Sequence, residues 1–224
     1  MSTLVALDID GTLIDTRPSF TRIVKELSGA LDQDVERFRD TGGFNDDWEL
    51  SRACTAWVRA GKPDIFAGLV DVHDCIARVG RAHDPGDLAP QGMALYRGGY
   101  WKDEIPLVDG PLLRALAARH RVATCTGRDR WELMRAEEML GFSFAHKTTM
   151  EEVRKPNAEA LLRLALPSDD VIVLVGDTAA DRMCAENARA LTRAHVVFIS
   201  VSHDNLARPF LEKLARGVDP RELG

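Results

Sequence analysis

Residues 4–13 have the sequence LVALDIDGTL, in which an apolar run ends in two aspartates and a glycine. A short apolar run without polar alternation is typical of a strand that is buried on both faces of a parallel sheet. Asp8 and Asp10 are two positions apart, so their side chains share a face if the strand continues. Gly11 then allows the chain to turn away from the sheet. The stretch therefore predicts a buried strand that presents two carboxylates at its carboxyl end.

The same apolar pattern occurs at three later places, Val122–Cys125, Val171–Val175 and Val196–Val201. Helical patterns separate or follow these runs. The predicted helices span residues 109–120, 129–140, 156–164, 178–190 and 204–216. Strand and helix therefore alternate from residue 105 to residue 224. Such alternation predicts βαβ units and the α/β fold class, with a doubly wound, mainly parallel, Rossmann-like sheet.

Residues 16–104 have a different pattern, with amphipathic helical stretches and no convincing strand. The helices predicted there span residues 18–28, 45–61 and 64–83, and a loop rich in proline, glycine and aspartate follows at 84–92. This helical insertion comes directly after the first strand. We therefore expect an α/β core domain formed by residues 1–15 and 105–224, and an inserted helical domain formed by residues 16–104.

Polar groups follow three of the four predicted strands. Asp8 and Asp10 follow the first, and the tripeptide Thr-Gly-Arg at residues 126–128 follows the second. Asp177 follows the third, with Asp181 four residues later. Ligands of an open parallel sheet bind beyond the carboxyl ends of its strands. We therefore expect these polar groups at one edge of the sheet.

Four carboxylates meet at this edge if the strand ends converge: those of Asp8, Asp10, Asp177 and Asp181. Asp177 and Asp181 lie one helical turn apart near the start of a helix. So much like charge cannot stay ionised without a cation. An acidic site made only of oxygen atoms suits Mg²⁺, which prefers octahedral oxygen ligands. The sequence thus predicts Mg²⁺ as the cofactor and these aspartates as its candidate ligands.

Three further residues complete the candidate site. Lys155 supplies positive charge, and Thr126 and the Gly127 amide supply hydrogen bonds to phosphate oxygens. Each residue alone has an ordinary structural interpretation, such as a surface lysine or a helix cap. Their joint occurrence at several strand ends favours a metal and phosphate site. Arg128 either touches the substrate or covers the start of the following helix, and the sequence leaves both open.

In their order along the chain, these elements resemble the four motifs of the haloacid dehalogenase-like phosphatases. Residues 8–13, DIDGTL, resemble the first motif, and Thr126 resembles the second. Lys155-Pro156 resembles the third, and residues 176–181, GDTAAD, resemble the fourth. The resemblance covers the chain from residue 4 to about residue 200. The helical insertion is similar to the mobile cap of the phosphoglycolate-phosphatase-like branch, and residues 1–15 with 105–224 to its catalytic core.

The resemblance implies a phosphatase in which Asp8 attacks phosphorus and forms an aspartyl-phosphate. Asp10 would protonate the leaving oxygen and then deprotonate the hydrolytic water. Thr126 and Lys155 would hold the transferring phosphoryl group. Mg²⁺ would bind the Asp8 carboxylate, the Asp10 backbone carbonyl and Asp177, with Asp181 acting directly or through water.

Residues 41–48, TGGFNDDW, fall where a loop of the cap reaches into the closed site of capped relatives. Phe44 offers an apolar surface, and Asn45 offers a donor and an acceptor, so both are candidate substrate contacts. In the alternative interpretation, Gly42 and Gly43 end one helix and Asn45 caps the next. A closed cap favours a small phosphorylated metabolite as substrate, because a macromolecule cannot be enclosed.

Other functions stay open. A phosphomutase on the same scaffold would keep all four motifs, including Asp10. A receiver-like phosphoacceptor module also gathers acids, a threonine and a lysine around a phosphorylated aspartate, but its chain is much shorter and has no helical insertion. A non-catalytic binding protein would have no need of Asp10. A dehalogenase typically lacks the second aspartate of the first motif, so Asp10 argues against that reaction.

The composition limits the partners and the location. The formal net charge of −6, from 35 acidic and 29 basic residues, argues against nucleic acid as a general partner. No apolar run is long enough to span a membrane, and Asp8 interrupts the apolar start, which is not expected of a secretory signal. The four scattered cysteines are typical of reduced thiols in a cytoplasmic protein. The sequence leaves the oligomeric state open, monomer or dimer.

Overall fold

A computed structural model of the chain describes residues 2–44, 46–202 and 204–223. The chain divides into two compact units, Met1–Asp15 with Ile105–Gly224, and Thr16–Glu104. We call the first the core unit and the second the helical unit.

Seven strands and ten α-helices lie within the described residues. The strands are β1 (Thr3–Leu7), β2 (Ile14–Asp15), β3 (Ile105–Pro106), β4 (Arg121–Cys125), β5 (His146–Thr148), β6 (Val171–Gly176) and β7 (His195–Ser200). The helices are α1 (Arg17–Ser28), α2 (Asp32–Arg39), α3 (Asp47–Arg59), α4 (Val72–Val79), α5 (Ala89–Arg97), α6 (Gly110–Ala117), α7 (Arg130–Leu140), α8 (Glu159–Leu162), α9 (Ala179–Arg189) and α10 (Ala207–Arg216). In this described part of the chain, no helix is both long and apolar enough to cross a membrane.

Five strands form one sheet in the core unit, in the order β5-β4-β1-β6-β7. Every residue of the central strand β1 is buried. Leu7, its last residue, lies opposite Thr124 on one side and Val175 on the other. All pairings in the sheet are parallel, so the carboxyl ends of its strands lie at one edge. The predicted α/β class, with a doubly wound and mainly parallel sheet, is confirmed.

Helices cover both faces of this sheet. Val5 and Leu7 of β1 pack in an apolar cluster with residues of α6, α7 and α10. Leu4 and Ala6 point to the other face and pack with residues of α8 and α9. Complete burial of one large aliphatic side chain contributes about 1.5–3 kcal/mol to stability. The two layers hold β1 in place and so fix the position of the residues that follow it.

Three short strands were not predicted from the sequence. The edge strand β5 is polar and exposed at His146 and Lys147, so it has no apolar run. β2 and β3 form an antiparallel ribbon in which Ile14 lies opposite Pro106. The ribbon lies where the chain leaves the core unit and returns to it. Its pairing is extended by the Leu107 N–H, which donates to the Leu13 carbonyl over 2.8 Å.

The helical unit packs its helices around aromatic side chains. Phe38 makes edge-to-face contacts with Phe44, Trp57 and Phe66, with ring centroids 5.2, 5.7 and 4.9 Å apart. Asp46 caps α3, because its carboxylate accepts hydrogen bonds from the first-turn backbone. The sequence missed α2 and α5 and made the helix that contains α4 too long.

Candidate active site

Asp8 extends the central strand by one residue. Its backbone N–H donates to the Val175 carbonyl over 2.9 Å, so the pairing between β1 and β6 continues through it. The chain then turns sharply, since the N–H groups of Leu13 and Ile14 both donate to the Ile9 carbonyl. Asp8 is only 3% exposed. The fold thus places a buried carboxylate at the carboxyl edge of the sheet.

Gly11 brings the turn after β1 against the end of β6. Its φ of 68° lies in the left-handed region, which residues with a Cβ rarely adopt. A Cβ at this position would lie 2.0 Å from Oδ2 of Asp177. Glycine is therefore needed both for the backbone conformation and for the close approach of the Asp177 carboxylate.

Lys155 links two of the carboxylates. Its Nζ lies 2.6 Å from Oδ1 of Asp8 and 2.5 Å from Oδ1 of Asp181. The lysine side chain is 9% exposed, and those of Asp8 and Asp181 are 5% and 0% exposed. Burial lowers the pKa of Lys155, but the charges of Asp8 and Asp181 more than offset this and raise the pKa overall. Lys155 is therefore a cation at neutral pH.

Asp177 and Asp181 are positioned by the start of α9. Thr178 caps this helix, and both its N–H and its hydroxyl donate to Oδ2 of Asp181. Gly176 leaves room for this arrangement, because a Cβ there would lie 2.5 Å from Cγ of Asp181. Thr178 and Lys155 thus occupy the two oxygens of Asp181, whereas Asp177 remains exposed to solvent.

The cluster can hold a metal ion. Ligand oxygens of Asp8, Asp177 and Asp181 all lie within 4.8 Å of one another. Burial raises the pKa of Asp8 to about 8; Lys155 opposes this shift, and the charges of Asp181 and Asp10 add to it. Partial burial and the charge of Asp181 raise the pKa of Asp177 to about 6. Burial thus makes these carboxylates costly to ionise even beside Lys155, and a further cation would offset that cost. Their oxygens fit a hard divalent cation such as Mg²⁺.

Thr126 and Gly127 lie at the end of the neighbouring strand β4. The Thr126 N–H donates to the Thr148 carbonyl over 3.0 Å, and its hydroxyl oxygen accepts from the Arg128 N–H over 3.1 Å. With its oxygen held in this way, the hydroxyl can donate its own proton to an anion. Gly127 is exposed, so its backbone is open to a ligand.

Asp10 is bound to Arg128. The Nε of Arg128 donates to Oδ1 of Asp10 over 2.7 Å, and its Nη2 lies 2.6 Å from the same oxygen. The arginine side chain is 3% exposed, whereas that of Asp10 is 43% exposed. The sequence left the role of Arg128 open. Its position two residues after Thr126 was the available signal, but a sequence does not tell where a long side chain points.

The segment around Phe44 has a structural role in the helical unit. Phe44 is 5% exposed and packs on Phe38. A Cβ at Gly43 would lie 1.6 Å from the Val70 carbonyl oxygen, so this glycine allows a close backbone contact. The structure therefore does not present Phe44 as an exposed apolar surface for a substrate. Asn45, the second candidate contact, lies outside the described residues.

The carboxyl edge of the sheet therefore gathers residues from four separate parts of the chain. Asp8 and Asp10 follow β1, Thr126 and Gly127 follow β4, Lys155 precedes α8, and Asp177 and Asp181 flank the start of α9. The cluster combines a buried carboxylate, a partly exposed carboxylate held by an arginine, a buried lysine and a pair of acids. This set can bind a phosphoryl group together with a divalent cation.

The sequence of the chain matches a known protein family. Residues 3–189 match the family described as haloacid dehalogenase-like hydrolase. No curated protein matches the sequence of the chain at a significant level.

Several solved structures are similar to the whole chain. Phosphatase Tt82 from Thermococcus thioreducens has 23% sequence identity and a TM-score of 0.75, with 96% of this chain and 100% of that chain covered. YfnB from Bacillus subtilis, solved with magnesium bound, has 15% identity and a TM-score of 0.57, with 89% and 88% covered. A haloacid dehalogenase-like family protein from Streptococcus pneumoniae has 16% identity and a TM-score of 0.55, with 99% and 96% covered. At these identities the likeness shows a shared fold.

Proposed function

Because the chain belongs to the haloacid dehalogenase-like hydrolases, we propose that it is a magnesium-dependent phosphatase that hydrolyses a small phosphate monoester through an aspartyl-phosphate on Asp8. One observation carries this proposal. The Asp8 carboxylate is buried at the end of the central strand, bound to Lys155, with oxygens of Asp177 and Asp181 within 4.8 Å. A nucleophile, a cation and metal ligands in one cluster are what phosphoryl transfer to a carboxylate requires.

The carboxylates of Asp8 and Asp177 and the backbone carbonyl of Asp10 would hold Mg²⁺. When bound, Mg²⁺ supplies positive charge that lets an anionic carboxylate approach an anionic phosphate. The oxygens of Asp181 are engaged by Lys155 and Thr178. Asp181 would therefore act chiefly by holding Lys155, and its contribution to the metal would come through water, one of the two possibilities that the sequence left open.

In the first step, an Asp8 oxygen bonds to phosphorus while the bond from phosphorus to the leaving oxygen breaks. Asp10 gives its proton to that leaving oxygen, so the product departs as an alcohol rather than an alkoxide. Lys155, the Thr126 hydroxyl and the Gly127 amide hold the phosphoryl oxygens during the transfer.

In the second step, water attacks the phosphorus of the aspartyl-phosphate. Asp10, now a carboxylate, takes a proton from this water as its oxygen bonds to phosphorus. The bond between phosphorus and the Asp8 oxygen breaks, which regenerates the carboxylate and releases inorganic phosphate. One residue thus serves as acid and then as base, as it must if both steps use the same proton site.

The proposed substrate is a small phosphorylated metabolite. The residues at the strand ends bind the phosphoryl group, which every phosphate monoester shares. Discrimination between substrates then depends on groups that meet the leaving group. Asn45 remains a candidate for that role, whereas the burial of Phe44 gives it a structural one.

The proposal is tested by incubating the protein with Mg²⁺ and a panel of phosphorylated metabolites while measuring phosphate release. We expect release from at least one small monoester, loss of release in Asp8→Asn, and wild-type release in Asp170→Asn. Asp170 is a matched control because it is exposed and precedes β6, at the opposite edge of the sheet. Formation of an isomeric phosphate without phosphate release would indicate a phosphomutase instead. Equal release by Asp8→Asn and the wild type would contradict the proposed nucleophile.

A further inference from the structure

Arg128 is a buried cation that contacts the general acid of the proposed reaction. Its guanidinium reaches Oδ1 of Asp10 through Nε at 2.7 Å and Nη2 at 2.6 Å. Its Nη1 donates to the Glu132 carbonyl over 3.3 Å, which holds the guanidinium from the side of α7. An arginine buried to this extent is expected to be paired, since an uncompensated buried charge is strongly destabilising.

The backbone of Arg128 is also anchored. Its N–H donates to the Thr126 hydroxyl oxygen over 3.1 Å, and its carbonyl accepts from the Met150 N–H over 3.2 Å. The cation is therefore fixed at its main chain as well as at its planar head group. A planar guanidinium with fixed donors imposes a direction on the carboxylate that it binds.

The contact between Arg128 and Asp10 involves one carboxylate oxygen of Asp10 and leaves the other oxygen available. Both arginine nitrogens approach Oδ1, and no hydrogen bond from the described residues reaches Oδ2. The Asp10 side chain is 43% exposed although its partner is 3% exposed. The pair thus has a buried end, which holds the carboxylate, and an open end, which a substrate can reach.

We propose that Arg128 is a positioning residue that fixes the Asp10 side chain so that Oδ2 faces the leaving-group oxygen. This inference rests on the proposed function, because it assigns a role relative to proton transfer by Asp10. Proton transfer needs a heavy-atom distance of about 2.6–3.2 Å, so a rotamer change of Asp10 removes its contribution. Arg128 therefore matters most where the leaving group needs a proton.

The simplest competing role is structural. Arg128 precedes the capping residue Asp129 and contacts α7, so it could serve only to secure the start of this helix. In that case its loss would disturb Thr126 and slow every substrate to the same degree. Two substrates with different leaving groups distinguish the roles: an alkyl phosphate, whose alkoxide needs protonation, and an activated aryl phosphate, whose phenolate does not.

The variants are Arg128→Gln, Arg128→Lys, Asp10→Asn and the Asp10→Asn/Arg128→Gln double variant. For Arg128→Gln we expect kcat/KM to fall about 100-fold on the alkyl phosphate and less than about 5-fold on the aryl phosphate. Arg128→Lys should recover part of the alkyl activity, since it restores the charge without the planar fork. The double variant should lose no more than Asp10→Asn alone, because the arginine acts through the aspartate.

A second readout does not depend on turnover. The increase in melting temperature on addition of Mg²⁺ should be the same in Arg128→Gln as in the wild type, because Arg128 binds the side chain of Asp10, whereas the ligand proposed from that residue is its backbone carbonyl. Arg163→Gln, which alters an arginine with 51% side-chain exposure on the same unit, should change neither readout.

The inference is overturned if Arg128→Gln lowers kcat/KM equally on both substrates or on neither. It is also overturned if the loss of kcat/KM in the double variant equals the combined losses of Arg128→Gln and Asp10→Asn. These outcomes are separate from failure of the proposed function. That failure would appear as a wild-type protein without phosphatase activity, or as full activity in Asp8→Asn.

Discussion

At the scale of single residues, the candidate site is governed by carboxylates that burial makes costly to ionise. Lys155 binds Asp8 and Asp181 directly, yet the pKa of Asp8 is still raised to about 8 by burial. Because Lys155 alone does not keep the Asp8 carboxylate ionised, the cluster should have affinity for a further cation. The same electrostatic imbalance that favours Mg²⁺ therefore makes the metal-free protein sensitive to pH.

Metal-free protein should lose stability as the pH rises from about 4 to about 8. Asp8 and Asp177 have folded-state pKa values of about 8 and about 6, above the ordinary value of 3.8. The folded state therefore retains protons that the unfolded chain has released, which stabilises it at low pH and is lost as the pH passes these values. Mg²⁺ requires ionised ligands, so it should raise the melting temperature more at pH 8 than at pH 5. Thermal unfolding in chelator and in Mg²⁺ measures both effects.

Two variants control this experiment. Asp177→Asn removes one proposed ligand and should reduce the increase in melting temperature that Mg²⁺ produces. Asp170→Asn, at the opposite edge of the sheet, should retain the full increase. Metal binding by this cluster would be contradicted if Mg²⁺ raised the melting temperature equally at every pH, or if Asp177→Asn left that increase unchanged.

At the scale of elements, the site depends on how each strand ends. The turn after β1 and the start of α9 meet only because glycine stands at two positions, Gly11 and Gly176, where a Cβ would collide with Asp177 or Asp181. The carboxylates are therefore brought together by the shape of the connections as much as by the sheet.

Replacement of Gly11 by alanine should weaken Mg²⁺ binding as well as stability. The strained backbone at φ 68° is expected to cost about 1–3 kcal/mol, and the new Cβ would displace Asp177. Gly141→Ala is the matched control, because its φ is 60° but no atom lies within 4 Å of the added Cβ. The control should lose stability and keep its Mg²⁺ affinity, as measured by titration. Equal Mg²⁺ affinity in both variants would refute the packing role of Gly11.

Replacement of Phe44 by alanine should act on stability rather than on substrate choice. Phe44 is 5% exposed and packs on Phe38, so its truncation should cost about 3–5 kcal/mol in the free energy of unfolding. Val70→Ala, at a residue that is 64% exposed, should change it by less than about 0.5 kcal/mol. Denaturant unfolding of the full chain measures both. If Phe44→Ala is as stable as the wild type but has an altered preference among small phosphate monoesters, Phe44 contacts the substrate and this prediction is wrong.

Strands and helices could be predicted from the sequence where their buried residues form an apolar pattern. β1, β4, β6 and β7 were found because their apolar runs are buried in the sheet. β5 was missed because it is a polar edge strand, and α2 because its sequence, DQDVERFR, is dominated by charge. β5 is specified by its pairing with β4, which no local pattern records.

At the scale of the whole molecule, the alternation of strands and helices predicted the fold class, and the resemblance of four motifs in order predicted the family. Parallel strands bring their carboxyl ends to one edge, so the sequence alone leads to the expectation that Asp8 and Asp177 lie near each other. The pairing of Arg128 with Asp10 could not be predicted, because it depends on the rotamer of a long side chain across 118 residues of sequence. At the candidate site, side-chain direction is the information that the sequence did not supply.

The formation of a covalent bond between phosphorus and Asp8 is tested most directly by rapid acid quenching during turnover, followed by proteolysis and mass analysis. We expect one phosphoryl group on the peptide that contains Asp8 in the wild type and none in Asp8→Asn. The adduct should disappear when substrate is exhausted, because hydrolysis returns the free carboxylate. Steady turnover with no phosphorylated peptide, or with the phosphoryl group on another residue, would contradict the mechanism.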